Sequence, residues 1–396
     1  MRKSVNLIFA VHQPFRLRRY RFFDIGNDHY YYDDYANQNI TEWLARKSYL
    51  PAASMLLRLL ARHRGNFKLA LFVSGTAVEL FKKYAPPVIE AFKKLADTGN
   101  VEFMGGTWSN SPAALLNEEA FTDQVNRHKQ LMETCFGQSP VSFFSPEMLY
   151  SDDIGEMIRR HGFRSVVVEG SAQVLGWRNA DMLYGNAVSP TFKLLVTNRE
   201  LGNDLTFRFA GDEWAGIRTH PGGFLMRFGS EGSEEQVVNV YSDLELMGVH
   251  QTAESGIFTF MESLIGEIAD HNYLKFSTPY EAIQQYPPAS ILSVPNPVAR
   301  NSGEAESSLP GGNELQREAM AKIFGMSRQF TANKESDVYE DWCRLQSTDH
   351  FLYMSSAYYE KDIPHRPNPF NTPHEAFINF MNIVADMKLR TGTGSS

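Results

Sequence analysis

Seven short, nearly continuous apolar runs recur along the first 250 residues: NLIFAV (6–11), KLALFV (68–73), VEFM (101–104), VSFF (141–144), SVVVE (165–169), LTFRFA (205–210) and VVNVY (237–241). Runs of this kind are typical of parallel strands covered on both faces. The segments between them are long enough for crossover helices. PAASMLLRLLARHR, PPVIEAFKKLAD, NEEAFTDQVNRHKQLMETCF and DDIGEMIRRHG carry apolar residues at helical spacing, with recognisable caps. The alternation predicts an α/β, barrel-like domain.

After residue 252 the pattern changes. ESGIFTFMESLIGEIADH, NELQREAMAKIFGMSRQF, SDVYEDWCRLQSTDHFLYM and PHEAFINFMNIVADMKLR read as helices, and PPASILSVPNPVARNSGEAESSLPGG reads as a Pro/Gly/Ser-rich connector. The expected organisation is a barrel over 1–270, a helical region over 271–390 packed on it, and an unstructured tail over 391–396.

Composition narrows the function classes. The chain is 43% hydrophobic and 21% charged, as a globular protein is. A net charge of −8 argues against nucleic acid, which needs a basic face. With Cys135 and Cys343 alone, a disulfide framework or cysteine-rich metal site is excluded, and a reducing, cytoplasmic setting is expected. MRKSVNLIFAVHQP is basic and then apolar, but Asn6 interrupts the apolar run and no small-residue cleavage site follows, so it reads as a first buried strand. No apolar stretch has transmembrane length, so no membrane partner is expected.

Parallel barrel strands all end on one face, where polar groups distant in sequence converge. The runs end in His12-Gln13-Pro14, Ser74-Gly75, Gly105-Gly106-Thr107-Trp108, Ser145-Pro146-Glu147, Glu169-Gly170 and Ser242-Asp243-Leu244-Glu245. Glu147 and Asp243 are the best-placed carboxylates. Two acids flanking a sugar linkage are the minimal equipment for glycoside hydrolysis, although either could instead cap a helix or pair with arginine. Trp108, Trp177, Trp214 and the aromatic loop FRLRRYRFFDIGNDHYYYDDY (15–35) could offer flat faces to sugar rings, or simply pack. Around Glu147, Ser145-Pro146 could start a helix, but Ser151-Asp152-Asp153 is the better cap for DIGEMIRRHG. Glu147 is therefore expected in a strand-end segment facing the site.

The motifs also carry a resemblance. VHQPFRL, LFVSGTAVEL, FFSPEMLYSDD, VYSDLELMGVHQTAESGIFTF and LQSTDHFLYMSS occur in that order. Together they resemble the motifs of glycoside hydrolase family 57, in particular its α-amylase-type branch. EGSAQVLGWR and LLVTNRELGNDLTFRF add collinear similarity, and the resemblance runs from VHQPFRL to EAFINFMNIVADMKLR. It implies an incomplete seven-stranded (β/α)7 barrel followed by a C-terminal helical region. It also implies retaining hydrolysis of α-glucans, α-1,4 bonds first, with Glu147 as nucleophile and Asp243 as acid/base roughly 5–5.5 Å apart.

Substrate contacts are expected from His12, Gln13, Glu79, Trp108, Trp177, Asp349 and His350. Glu79 could equally serve a salt bridge, and Asp349-His350 could orient helices. No cofactor or metal is required by that chemistry. Glu245 and His250 are read as less certain, and the cluster Arg16-Arg18-Arg19-Arg21 as a solvated or acid-paired loop. A metal-dependent deacetylase would need two histidines a turn apart, and none of the 11 is spaced H-x3-H or H-x4-H. The sequence departs from the family pattern at Phe144, Ser145, Pro146, Gly106, Ser109, Asn110, Leu244, Leu246, Met247 and Val249. The alternative expectation is thus a weak or inactive α-amylase-like homologue that binds α-glucan.

Overall fold

The computed structural model describes residues 2–211, 214, 216–217, 221–232, 234–300, 311–332, 334, 336–360 and 368–391. Its strands are β1 (Lys3–Val11), β2 (Leu69–Val73), β3 (Val101–Met104), β4 (Ser142–Phe143), β5 (Ser165–Val168), β6 (Leu183–Asn186), β7 (Lys193–Val196), β8 (Val237–Asp243), β9 (Leu274–Phe276) and β10 (Ser290–Leu292). β1 is central: Ile8 pairs with Ala70 of β2 on one side and with Tyr241 of β8 on the other. The order β3-β2-β1-β8 forms one parallel sheet, and β5 pairs in parallel with both β4 and β7 in a second.

Two single bridges close these sheets into a ring. Gly105 meets Phe143 in parallel, joining β3 to β4, and Thr197 meets Asn239, joining β7 to β8. The ring therefore runs β1-β2-β3-β4-β5-β7-β8, seven parallel strands with two thin seams. This is an incomplete (β/α)7 barrel, as expected. At the first seam packed rings leave no room for side chains: a Cβ on Gly105 would lie 2.4 Å from the Phe163 ring, and one on Gly106 would lie 2.4 Å from the Phe72 ring and 2.8 Å from Phe144 O. The second seam is carried by a buried amide. Asn239 donates to Val196 O at 2.9 Å and accepts from Asn6 at 2.8 Å, and Asn6 accepts from Ser277 at 2.7 Å.

Six of the seven expected strands are present. LTFRFA is the exception: its residues alternate over a short window, but over the longer stretch the buried apolar residues follow a helical period. Leu201, Leu205 and Phe209 are spaced by four and buried together, Thr206 donates to Gly202 O, and Arg208 pairs with Asp204. Residues 204–208 accordingly form a helical turn after the helix Arg199–Asn203. Lys193–Val196 takes the vacant place in the ring, and its antiparallel partner β6 lies outside it. Strand pairing also continues past residue 270: β9 pairs with the start of β1, and β10 with β6.

Even-numbered residues of β1 face inward, where Ile8 and Ala10 pack with Ala70, Phe72, Met104, Phe144, Val167, Leu195 and Tyr241. Odd-numbered residues face the covering helices, which gives each strand two buried faces. Ser277, reaching Asn6, and Tyr280 N, donating to Glu102 at 2.7 Å, close the barrel at the end where the strands begin. Chemistry is left to the opposite mouth.

The helices Glu314–Phe324, Asp337–Leu345, Thr348–Leu352 and Pro373–Arg390 share a core with the barrel flank, built around Trp342, Phe351, Phe380 and Ile383. Asp386 of the last helix ties down the aromatic loop by accepting from Tyr31 OH and Gly26 N. Among the described residues no helix is long and apolar enough to cross a membrane. The expected tail, apart from Thr391, lies outside the described residues.

Asn239→Leu strands Asn6 and Val196 O without their buried partner, at about 1–3 kcal/mol each. The variant is expected to unfold at a clearly lower urea concentration with an unchanged slope, because the loss is local to the seam.

Candidate active site

β4 is short because its continuation turns inward. Phe144 stacks on Tyr241 of β8, with ring centroids 5.3 Å apart, and leans on Phe72 at 5.0 Å. Pro146–Met148 then form one tight turn in which Glu147 (φ 48°, ψ 27°) and Met148 (φ 52°) are left-handed. Such backbone costs an L-residue about 1–2 kcal/mol and persists only where surrounding structure imposes it. Ser145 makes no cap bond, whereas Ser151 caps the helix Asp152–Arg160 by accepting from Ile154 N. Glu147 is therefore not a first-turn acid of that helix.

The surrounding structure is the Pro-rich connector, which runs antiparallel to the Glu147 segment. Arg300 N donates to Glu147 O at 2.6 Å. Tyr150 and Val298 exchange backbone bonds of 2.9 and 2.8 Å, and Asp152 N donates to Val294 O at 2.8 Å. The Asp152 carboxylate in turn accepts from Val294 N and Ser293.

Asp243, the last residue of β8, stands across the ring from β4. Its Oδ1 accepts from Tyr241 OH at 2.7 Å, and its Oδ2 lies 3.9 Å from Arg300 Nη1. The guanidinium also sits 5.1 Å from the Tyr241 ring centroid. Burial works against the charge on Arg300, but Tyr241, Asp243, Glu147 and Glu169 outweigh it and hold its pKa above the ordinary value. Burial, then Asp243, keep the Tyr241 phenol far above its usual range, so it remains a donor. Glu169, at the end of β5, is buried beside Arg199 at 3.4 Å. Burial raises its pKa, Arg300 and Arg199 oppose the rise, and Glu147 adds to it.

A second polar cluster adjoins the first, because Ala10 pairs with Asp243 and His12 follows two residues later. His12 Nδ1 meets Ser74 Oγ at 2.8 Å, and Nε2 meets Asp349 Oδ2 at 2.7 Å and Ser347 Oγ at 3.2 Å. Gln13 donates to Tyr49 OH and to Glu245 at 3.2 Å and accepts from Arg16 at 2.6 Å. Arg16 is thus a buried strut, its pKa lowered by desolvation, rather than part of a solvated loop. Arg18 and Arg19 do pair with acids, Asp28 and Glu375.

The remaining candidates lie elsewhere. Glu79 forms ion pairs with Arg344 (2.9 Å) and Arg127 (3.5 Å), joining helix to helix. Trp108 is 2% exposed, with the Arg127 guanidinium 3.6 Å from its ring centroid and Gly75 against its edge. That leaves no open face for a sugar. Trp214 is likewise buried, against Phe209 and Phe224. Trp177 is 88% exposed. His350 lies in the helical core near Tyr353 and Phe380, and burial lowers its pKa to about 4. Arg300 and Tyr241 were missed by the sequence reading. Val294 and Val298, spaced within the connector, are the signal that it pairs rather than wanders. Among the described residues no group of three or more His, Cys, Asp or Glu is placed to hold a metal ion.

Comparison with known proteins agrees with this architecture. The profile described as glycosyl hydrolase family 57 matches residues 6–295, most of the chain. The chain belongs to glycosyl hydrolase family 57. A Methanocaldococcus jannaschii protein named "Putative alpha-amylase" is 27% identical over 394 residues, covering 96% of this chain and 83% of that one. A 4-alpha-glucanotransferase from Thermococcus litoralis superposes with TM-score 0.70 at 14% identity over 96% of this chain, which spans 60% of that enzyme. An alpha-amylase from Thermotoga maritima gives 0.66 at 13% identity, covering 99% and 94%. These structural likenesses fix the family 57 barrel as the fold.

His350 separates packing from ligand contact in this family 57 chain. The unfolded state takes up its proton below about pH 6.5, whereas the folded state resists down to about 4. Stability from this group is therefore complete above pH 6.5 and falls as the pH is lowered towards 4. His350→Phe is expected to lose about 2 kcal/mol less than the wild type between pH 7 and pH 5, read from urea midpoints.

Proposed function

We propose that this chain is a retaining glycoside hydrolase acting on α-glucans, α-1,4 bonds first, with Glu147 as nucleophile and Asp243 as acid/base. The observation that carries the reading is that one residue, Arg300, bridges two acids from opposite sides of the ring: its backbone N donates to Glu147 O at 2.6 Å and its guanidinium lies 3.9 Å from Asp243. The α-glucan class is supported by the names of the relatives, which include an amylase and a glucanotransferase.

In this reading Glu147 attacks the anomeric carbon while Asp243 protonates the departing glucosyl oxygen, giving a glycosyl-enzyme. Water enters, Asp243 takes its proton, and the ester to Glu147 is cleaved. Tyr241 OH, donating to one Asp243 oxygen, fixes the carboxyl plane. The left-handed backbone of Glu147 turns its side chain out of the helix-capping role, which suits a nucleophile presented at a strand end. In this reading His12 and Asp349, held to one another, would bound the sugar site at the same mouth, with Gln13 behind them. The exposed Trp177 is proposed as an outer sugar platform. A retaining dyad has its carboxyl groups about 5–5.5 Å apart.

A mechanism-based fluorinated α-glucosyl reagent should label Glu147, located by peptide mass spectrometry. Glu147→Gln and Asp243→Asn should each lower maltooligosaccharide cleavage by about 10³-fold or more. An unlabelled protein whose turnover survives both changes would refute the assignment. Calorimetric binding of maltooligosaccharides without any product would point to the inactive glucan-binding alternative.

A further inference from the structure

The connector segment 293–300 takes no step in the chemistry described so far, yet its backbone braces the Glu147 turn. Its backbone pairs with residues 147–152 at three places, and the last of them, Arg300 N to Glu147 O, fixes the left-handed residue itself. The same residue sends its side chain inward, 3.9 Å from Asp243 and over the Tyr241 ring. Main chain and side chain of one residue therefore touch both halves of the dyad. A plain structural strap would not require a cation at its end.

We propose that Arg300 is a positioning residue for the glycosidic dyad, clamping the Glu147 turn with its backbone and orienting and charge-balancing Glu147 and Asp243 with its guanidinium. The proposal rests on the retaining reading above. The groups facing this guanidinium are Glu147, Asp243, Tyr241 and Glu169, with Arg199 beyond Glu169. One half-buried cation among three carboxyl groups favours an ionised Glu147 before attack. Once Glu147 is esterified, the negative charge left near Arg300 is carried chiefly by Asp243 and Glu169. The cation then favours the deprotonated Asp243 that must follow the acid step. Glu147 O and Arg300 N stay bonded throughout, so the nucleophile does not drift as its charge changes.

Substituting the side chain leaves the backbone clamp in place and isolates the guanidinium. Arg300→Gln and Arg300→Lys would be compared with the wild type on maltooligosaccharides, with circular dichroism confirming folding. For Arg300→Gln we expect kcat lower by about 10²-fold with KM within about threefold, and the acid limb of kcat/KM shifted up by about one pH unit. The direction follows because loss of the cation makes the carboxyls easier to protonate. Arg300→Lys should restore the acid limb but only part of kcat, since a point charge replaces the planar fork. Wild-type cleavage with Arg300→Gln unchanged in kcat and pH profile overturns the proposal and leaves the functional reading standing. So does an Arg300→Lys protein that folds and behaves like Arg300→Gln. A wild-type protein that neither cleaves nor labels overturns the functional reading, and this proposal with it.

Discussion

Everything in this fold depends on closing a parallel ring with seven strands, one of which, β4, contributes only two residues of ladder. Seven strands hydrogen-bond fully over most of the ring, but two junctions rest on single bridges. Each seam is supported by a different device. At Gly105-Gly106 the absence of side chains makes room for the Phe163 and Phe72 rings against the seam, and at Asn239 a side-chain amide supplies the missing backbone bond. Closure places every strand end on one mouth, so the seam chemistry and the site geometry are consequences of the same constraint.

Charge burial is the second theme. Arg16 is buried at that mouth beside Gln13, and Arg300 is half-buried there beside Asp243. An isolated buried cation would be costly, but each has acids or phenols within electrostatic reach. Both arginines come from segments that look like loops in the sequence. Their burial is what converts an aromatic loop and a proline-rich connector into walls of the site.

The legible part of the architecture was the part written in local periodicity. The runs at 6–11, 68–73, 101–104, 141–144, 165–169 and 237–241 became ring strands because both their faces are covered. LTFRFA misled because its apolar residues satisfy a period of two over a short window and a period of four over a longer one, and the Asp204–Arg208 pair decides for the helix. Lys193–Val196 was overlooked because it is only four residues long and lies in a hairpin. Trp108 was open from sequence, since a strand-end tryptophan looks the same whether it faces a groove or Arg127.

The sequence by itself determined the class: parallel strands from continuous apolar runs, helices from capped amphipathic segments, and acids at the ends of β4 and β8. The tertiary structure alone decided what surrounds those acids. Which cation meets them and why Glu147 adopts a left-handed backbone both depend on Arg300, which lies more than 50 positions from Asp243 and more than 150 from Glu147 in sequence. Local propensity carries no record of such contacts. They arise only when the closed ring and the strap beside it fix the distance between elements that the chain separates.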